Sequence, residues 1–124
     1  MMSQKKYSIK KNYKKLFMNK KQILNLIKNK NIIGLHSHKH LPNLSKINFF
    51  QQLKDYQKNY NFIEKNFKIK PLSASYPFGR YNDDTIRIMK NLKIKIAFLS
   101  KENIKFSNLA ISRIDHSSLL KKIK

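Results

Sequence analysis

Residues 32–42, IIGLHSHKHLP, carry the strongest indication of the fold. Its first four residues are apolar or glycine and include two β-branched isoleucines, a composition typical of a short buried strand in a parallel sheet. Three of the four histidines in the chain follow directly, at positions 36, 38 and 40. We therefore expect a strand over residues 32–35 that leads the chain into a histidine-rich segment.

Helical patterns lie on both sides of this stretch. Upstream, four apolar residues fit one helical face and predict a helix over 20–28, with order beginning near Asn19. Downstream, apolar and aromatic residues recur at steps of three and four, which predicts a long amphipathic helix from 47 to 67, capped by Ser45. The face of this helix that we expect to be apolar carries Ile47, Phe50, Leu53, Tyr56, Tyr60, Ile63 and Phe67.

Three further extended segments are predicted from short apolar runs bounded by turn residues: 71–78, 94–99 and 109–114. A helix capped by Asp83 or Asn82, and ending near Leu92, separates the first two. Strands that alternate with helices over connections of this length indicate βαβ units. The expected class is therefore α/β with a parallel sheet, whose functional groups lie at the carboxyl ends of the strands.

Composition limits the classes of protein. The chain has 124 residues, enough for one small domain, and it contains no cysteine, so any metal site must use His, Asp or Glu. Its formal charge of +22 favours a nucleic-acid or other polyanion partner. However, 25 of its 28 basic residues are lysine, whereas base recognition favours arginine. An AT-rich genome would produce the same excess of Lys, Asn and Ile, and we expect no specific nucleic-acid partner.

No membrane-spanning or exported segment is recognisable. The sequence holds no apolar run near the roughly 18 residues of a transmembrane helix, and residues 1–30 lack the apolar core of a signal peptide. The sequence leaves the location undetermined, with the cytoplasm as the default expectation.

The histidine-rich segment is a candidate metal site. On the first turn of a helix, His36 and His40 would lie one turn apart on the same face and bind one divalent ion at about 2.0–2.1 Å, while His38 would point elsewhere. A metal needs more ligands than two imidazoles, and a carboxylate is the usual third. The alternative is a solvated basic loop in which the histidines bind nothing.

A second motif, SYPFGRYND, occupies residues 75–83. The Pro-x-Gly sequence at 77–79 breaks the predicted strand and leaves backbone N–H groups unpaired at its carboxyl end. Such groups hold an oxyanion as it develops during acyl transfer. The candidates for oxyanion or substrate contact are therefore Tyr76, Pro77, Phe78 and Gly79. The alternative is an ordinary turn between a strand and a helix.

In this order and spacing, the two motifs resemble those of the polysaccharide deacetylase family, the NodB homology domain of carbohydrate esterases. Residues 34–44, GLHSHKHLPNL, are similar to that family's second motif, H-[ST]-x-x-H within IGSHTxxHPxL. Residues 73–82, SASYPFGRYN, are similar to the FAYPYGxYN form of the third motif. The resemblance runs from about Met18 to Ile114 and includes a PRI-like sequence at 112–114.

The resemblance implies a distorted (β/α)₇ barrel and metal-dependent removal of acetyl groups from an N-acetylated polysaccharide. By the match of motifs, His36 and His40 would bind a divalent metal, zinc or a similar ion. Ser37 would brace the loop, and the Phe78 N–H would serve the oxyanion. The remaining histidine, His116, is the candidate general acid, with an exposed tail residue as the alternative.

The sequence also departs from the family pattern. The first motif, T-F-D-D, supplies the catalytic base and the third metal ligand, yet residues 1–35 contain no Asp or Glu. Leu41 is inserted into the usual His-Pro pair, Ser75 stands where many members carry Arg, and the later LLHD motif is absent. Asp83 and Asp84 are expected to stabilise a helix start instead of replacing the missing ligand, and Asp115 is a weaker candidate.

These departures predict a partial barrel that lacks its first strands. We expect a basic, weakly ordered lead-in over 1–17, a partial deacetylase domain over 18–116 and a basic tail over 117–124. The expected function is that of a deacetylase that is inactive alone, or active only with a separately encoded N-terminal segment. The alternatives are a basic nucleic-acid- or polyanion-binding protein and a non-catalytic sugar-binding remnant.

Overall fold

A computed structural model describes residues 16–100, 107–114 and 119. The chain divides into two compact units, residues 1–32 and residues 33–124. Most of the predicted lead-in and tail, together with Asp115 and His116, lies outside the described residues.

The described part of the first unit contains one helix, α1 (Lys20–Lys28), at the predicted position. A reciprocal pair of hydrogen bonds starts it: the Gln22 N–H donates to Asn19 Oδ1 at 2.9 Å, and the Asn19 N–H donates to Gln22 Oε1 at 2.8 Å. This capping box satisfies two N–H groups that the first turn leaves unpaired. Order near Asn19 is therefore set by the local sequence.

The second unit is built on a small parallel sheet. Strands β1 (Ser73–Ser75) and β2 (Ile96–Phe98) pair in parallel, with Ser73 opposite Ile96. Single parallel bridges add Leu35 beside Ala74 and Ile111 beside Phe98. The paired segments thus follow chain order across the sheet, which confirms the α/β class and the parallel arrangement.

The strands are shorter than predicted, because neighbouring backbone groups are used elsewhere. In the predicted strand over 32–35 only Leu35 is paired, and the Ile32 side chain is 79% exposed. The Ile94 N–H donates to Met89 O at the end of a helix, so β2 begins at Ile96. Likewise, the Ala110 N–H donates to Ser107 O within a turn. Only a single bridge, at Ile111, is therefore left of the predicted strand.

Helices α2 (Phe49–Phe67) and α3 (Asp83–Asn91) follow the first and second paired segments. The cap predicted at Ser45 is wrong: Ser45 lies in a short 3₁₀ turn, and the Asn48 side chain accepts the Gln51 N–H at 3.0 Å. Of the two caps predicted for α3, Asp83 and Asn82, the structure has Asn82, whose side chain accepts the Thr85 N–H at 2.9 Å. No helix in the described ranges is long and apolar enough to cross a membrane.

The buried face of α2 differs from the predicted apolar stripe. Phe50 is 77% exposed, whereas the buried positions are Gln52, Asp55, Tyr56, Ile63 and Phe67. Two of these are polar because they serve as hydrogen-bond partners inside the unit. Gln52 accepts a hydrogen bond from the Thr85 hydroxyl at 2.6 Å, which ties α2 to α3, and Asp55 anchors a loop described below.

We predict that Gly34→Ala destabilises the second unit. An added Cβ would lie 2.5 Å from Ser73 Oγ and 2.9 Å from Ser73 O, and the carbonyl cannot move without opening the pairing of β1. Such overpacking costs about 1–3 kcal/mol of unfolding free energy, measurable by urea denaturation. The exposed neighbour Ile32→Ala is the control and should change the same quantity by less than about 0.5 kcal/mol. Equal stability of Gly34→Ala and the parent would contradict the prediction.

Candidate active site

Two loops meet at the carboxyl edge of the sheet. The histidine loop, residues 36–40, follows Leu35, and the Pro-Phe-Gly turn, residues 77–79, follows the end of β1. Leu35 lies beside β1, since its N–H donates to Ser73 O and its carbonyl accepts the Ser75 N–H, both at 2.8 Å. Adjacent parallel strands end at the same edge, so the two loops are neighbours.

The histidine loop brings two imidazoles together. The ring centroids of His36 and His40 are 4.8 Å apart, and the His40 ring lies 5.1 Å from the Phe78 ring. His38 instead lines a cavity with residues of α2. The predicted pairing of His36 and His40, with His38 pointing elsewhere, is therefore seen in the structure.

The predicted reason for this pairing is wrong, because the loop is not the first turn of a helix. Ser37 and His40 have φ angles of 62° and 52°, in the left-handed region. The loop wraps instead around the buried carboxylate of Asp55 on α2. This carboxylate accepts hydrogen bonds from Ser37 Oγ at 2.6 Å, the His38 N–H at 2.8 Å and the Lys39 N–H at 3.1 Å.

The Ser37 hydroxyl both donates and accepts a hydrogen bond within the loop's anchoring network. Its hydroxyl donates to Asp55 and accepts the His40 N–H at 3.0 Å, so the second imidazole is held through the serine. Ser37 therefore braces the loop, as the family resemblance implied. Sequence reasoning missed Asp55; the available signal was an acidic residue directly beside Tyr56 on the face of a helix predicted to be buried.

The orientation of His36 is set by two partners. Its backbone N–H donates to Asn59 Oδ1 at 3.0 Å, and its ring Nδ1 lies 2.7 Å from Ser75 O. A carbonyl oxygen only accepts hydrogen bonds, so Nδ1 carries the proton in this contact. In this tautomer Nε2 carries the lone pair of the ring, which is the arrangement found in metal-binding histidines.

The buried half of the second motif is structural. Tyr76 is 1% exposed, donates its hydroxyl to Leu109 O at 2.7 Å and stacks on Tyr81 at 5.2 Å. Burial, and then the neighbouring Tyr81, raise the pKa of Tyr76, so its hydroxyl stays protonated and donates. Pro77 is also buried. These two candidate residues hold the turn, with their side chains in the core.

The exposed half of the turn offers a hydrogen-bond donor. The N–H groups of Tyr76, Gly79 and Arg80 donate to Phe98 O, Tyr76 O and Pro77 O. Phe78 is 55% exposed with a φ of 56°, and its N–H has no acceptor within the part of the chain that the structure describes. Gly79, with a φ of 63°, permits the tight turn that presents this N–H.

Two arginines hold the site from outside. Arg80 donates from Nη1 to Pro42 O at 2.7 Å and to Asn43 Oδ1 at 3.2 Å, which joins the Pro-Phe-Gly turn to the exit of the histidine loop. Arg113 donates from Nη2 to Ser75 Oγ at 2.8 Å. The sequence has serine at 75 where many family members have arginine, and a guanidinium reaches this position from Arg113.

The described residues lack a third ligand beside the two imidazoles. No group of three or more His, Cys, Asp or Glu side chains suited to a metal occurs in residues 16–100 and 107–114. Asp83 and Asp84 lie in the first turn of α3, as expected, and Asp84 pairs with Arg87 at 3.2 Å. The other candidates, Asp115 and His116, fall outside the described residues.

Solved structures with the same fold are deacetylases. The deacetylase PplD of Streptococcus pyogenes, solved with acetate, matches with a TM-score of 0.68 at 23% identity, over 86% of this chain and 51% of that one. IcaB from Ammonifex degensii matches with a TM-score of 0.68 at 14% identity, over 86% and 52%. The chain thus shares its fold with these structures and spans about half of their length.

The sequence places the chain more specifically. Residues 4–97 match the family model described as polysaccharide deacetylase. The chain therefore belongs to the polysaccharide deacetylase family. A poly-beta-1,6-N-acetyl-D-glucosamine N-deacetylase of Staphylococcus aureus is 34% identical over 50 residues, which cover 40% of this chain and 17% of that protein.

We predict that Asp55→Asn destabilises the loop. Asparagine keeps one acceptor oxygen, but its NH₂ group only donates hydrogen bonds and would face the N–H and O–H donors of the loop. We therefore expect the unfolding free energy to fall by about 2–4 kcal/mol, measurable by urea denaturation. The NMR signals of His36 and His40 should also shift. Glu64→Gln removes the same charge from the same helix and is the matched control. Equal effects of the two variants would show that charge, and not loop anchoring, is responsible.

Proposed function

We propose that this chain supplies the histidine half of a metal-dependent deacetylase that hydrolyses N-acetyl groups of amino sugars in a cell-surface polysaccharide. The observation that carries the proposal is the paired rings of His36 and His40 at the same sheet edge as the Phe78 N–H, in a chain of the polysaccharide deacetylase family. The finer fold proposal is that these elements form part of a (β/α) barrel. The family and the site do not favour a basic nucleic-acid-binding protein.

The donor set fits a zinc ion in part. His36 would bind through Nε2, because Ser75 O holds its Nδ1 proton, and His40 would add a second imidazole. Zinc, when bound there, would polarise the amide carbonyl and lower the pKa of a water molecule. Both oxygens of Asp55 already accept hydrogen bonds from the loop, and the described residues hold no group of three metal-binding side chains, so the third ligand in this proposal is a carboxylate beyond the described residues.

The Pro-Phe-Gly turn would bind the acetyl group. The Phe78 N–H would donate to the carbonyl oxygen, and the donation would strengthen as negative charge develops on that oxygen. The hydrogen bonds of Gly79 and Arg80 fix the turn before substrate binds, so the donor needs little reorganisation. The exposed Phe78 ring, next to His40, would contact the sugar.

Proton transfer needs groups that the described residues do not supply. We propose that a T-F-D-D segment provides the general base, either in a separately encoded segment or in a longer chain. His116 is proposed as the acid that protonates the leaving amine. Without the base, residues 1–124 are expected to bind polysaccharide but to hydrolyse it poorly.

We predict weak zinc binding that depends on His40 and not on His38. His40→Gln should reduce the zinc association constant by about tenfold or more in calorimetric titration, because it removes one of two imidazole ligands. His38→Gln, two residues away in the same loop, is the matched control and should leave the constant unchanged. If His38→Gln weakens zinc binding as much as His40→Gln, the two-imidazole site is wrong.

We predict that activity requires a complementing segment. Acetate release from tetra-N-acetylchitotetraose by residues 1–124 should be at least about 100-fold slower than in a mixture with a T-F-D-D segment, because coupled catalytic groups fail together. The same segment with both aspartates changed to asparagine is the control and should restore nothing. Rapid, chelator-sensitive acetate release by residues 1–124 alone would disprove the requirement.

A further inference from the structure

A cavity of about 340 Å³ lies between the histidine loop and helix α2. It is distinct from the place where the rings of His36 and His40 meet. Its volume is at the lower end of the range for small-ligand sites, about 300–1,000 Å³, and is suited to a single sugar unit. Its walls are formed by His38, Lys39, Leu41, Ile47, Gln51, Lys54, Asp55 and Lys58.

The cavity is strongly cationic. Lys54 and Lys58 lie one helical turn apart on α2, and Lys39 comes from the histidine loop. In the described ranges, none of these three lysines forms an ion pair with a carboxylate. Asp55 is the one acidic residue in the wall, and its two oxygens accept hydrogen bonds from the histidine loop. Three ammonium groups are therefore available to a ligand.

Part of the cavity wall is apolar, and the backbone that carries Lys39 is held in place. Leu41 and Ile47 are half-buried and present aliphatic surface, while Gln51 adds an amide. The Lys39 N–H is held by Asp55, so the cationic side chain starts from a fixed point in the backbone. Ammonium groups beside aliphatic side chains suit a ligand with one charged edge and one apolar face, as in a sugar that carries an acidic group.

We propose that this cavity binds an anionic group, a carboxylate or a phosphate, on a sugar unit of the substrate polysaccharide. The inference rests on the proposed function, because it takes the ligand to be part of that substrate. The histidine loop forms both sites: His36 and His40 face one, and His38 and Lys39 face the other. The cavity would thus select an acidic sugar near the acetyl group to be removed.

Binding measured without metal tests this proposal separately from turnover. We expect a hyaluronan tetrasaccharide, which carries carboxylates, to bind more tightly than the neutral tetra-N-acetylchitotetraose in calorimetric titration. Lys54→Gln with Lys58→Gln should weaken hyaluronan binding by about fivefold, given the modest strength of exposed ion pairs. The charge-preserving pair Lys54→Arg and Lys58→Arg should retain it. Competition by inorganic phosphate, but not by acetate, would assign the site to phosphate-bearing sugars.

The control uses two other exposed lysines of the same unit. Lys65 and Lys70 line a separate cavity of about 430 Å³ that also contains Glu64. Lys65→Gln with Lys70→Gln removes the same charge and should leave hyaluronan binding within about twofold of the parent, since a surface charge at a distance is screened. Equal loss in both double variants, or no loss at Lys54 and Lys58, would overturn the proposal. Intact hyaluronan binding, together with failure of the T-F-D-D segment to restore acetate release, would instead count only against the proposed deacetylase function.

Discussion

The Asp55 carboxylate is the interaction on which the site depends. It is 7% exposed and accepts one hydroxyl and two backbone N–H groups from the histidine loop. Hydrogen bonds to a charged group contribute about 1.5–3 kcal/mol each, and together they offset the cost of burying the carboxylate. They also stabilise the left-handed backbone of Ser37 and His40, which a free loop would seldom adopt. The two imidazoles face each other because a side chain on α2 holds the loop between them.

Ser75 connects this loop to the sheet with three of its groups. Its N–H donates to Leu35 O, its carbonyl accepts His36 Nδ1, and its hydroxyl accepts Arg113 Nη2. A one-residue slip in the pairing of β1 would exchange the faces of the sheet and remove all three contacts from the site. The register of a three-residue strand therefore controls the tautomer of His36.

Membership of the polysaccharide deacetylase family and the fold shared with solved deacetylases agree with the geometry of the site. The described residues offer two imidazoles and a backbone donor at the site, while Asp55, Asp83 and Asp84 have structural roles. Asp55 anchors a loop, and Asp83 and Asp84 lie in the first turn of α3, where negative charge favours the positive end of the helix dipole. Within the described residues, therefore, no carboxylate completes a group of three metal-binding side chains.

The local features could be predicted from the sequence. Helix α1, a cap at Asp83 or Asn82 and the alternation of helices with extended segments follow from contacts between residues a few positions apart, and the spacing of the motif identified His36 and His40 as a candidate pair. The tertiary structure decided the rest. The exposure of Phe50, the anchoring role of Asp55 and the close approach of the His36 and His40 rings depend on partners 16 or more positions away or on another element. Periodicity shows which residues share a helix face. It cannot show whether a buried acidic side chain has a hydrogen-bond donor in a distant loop, because that donor reaches its position only when the chain has folded.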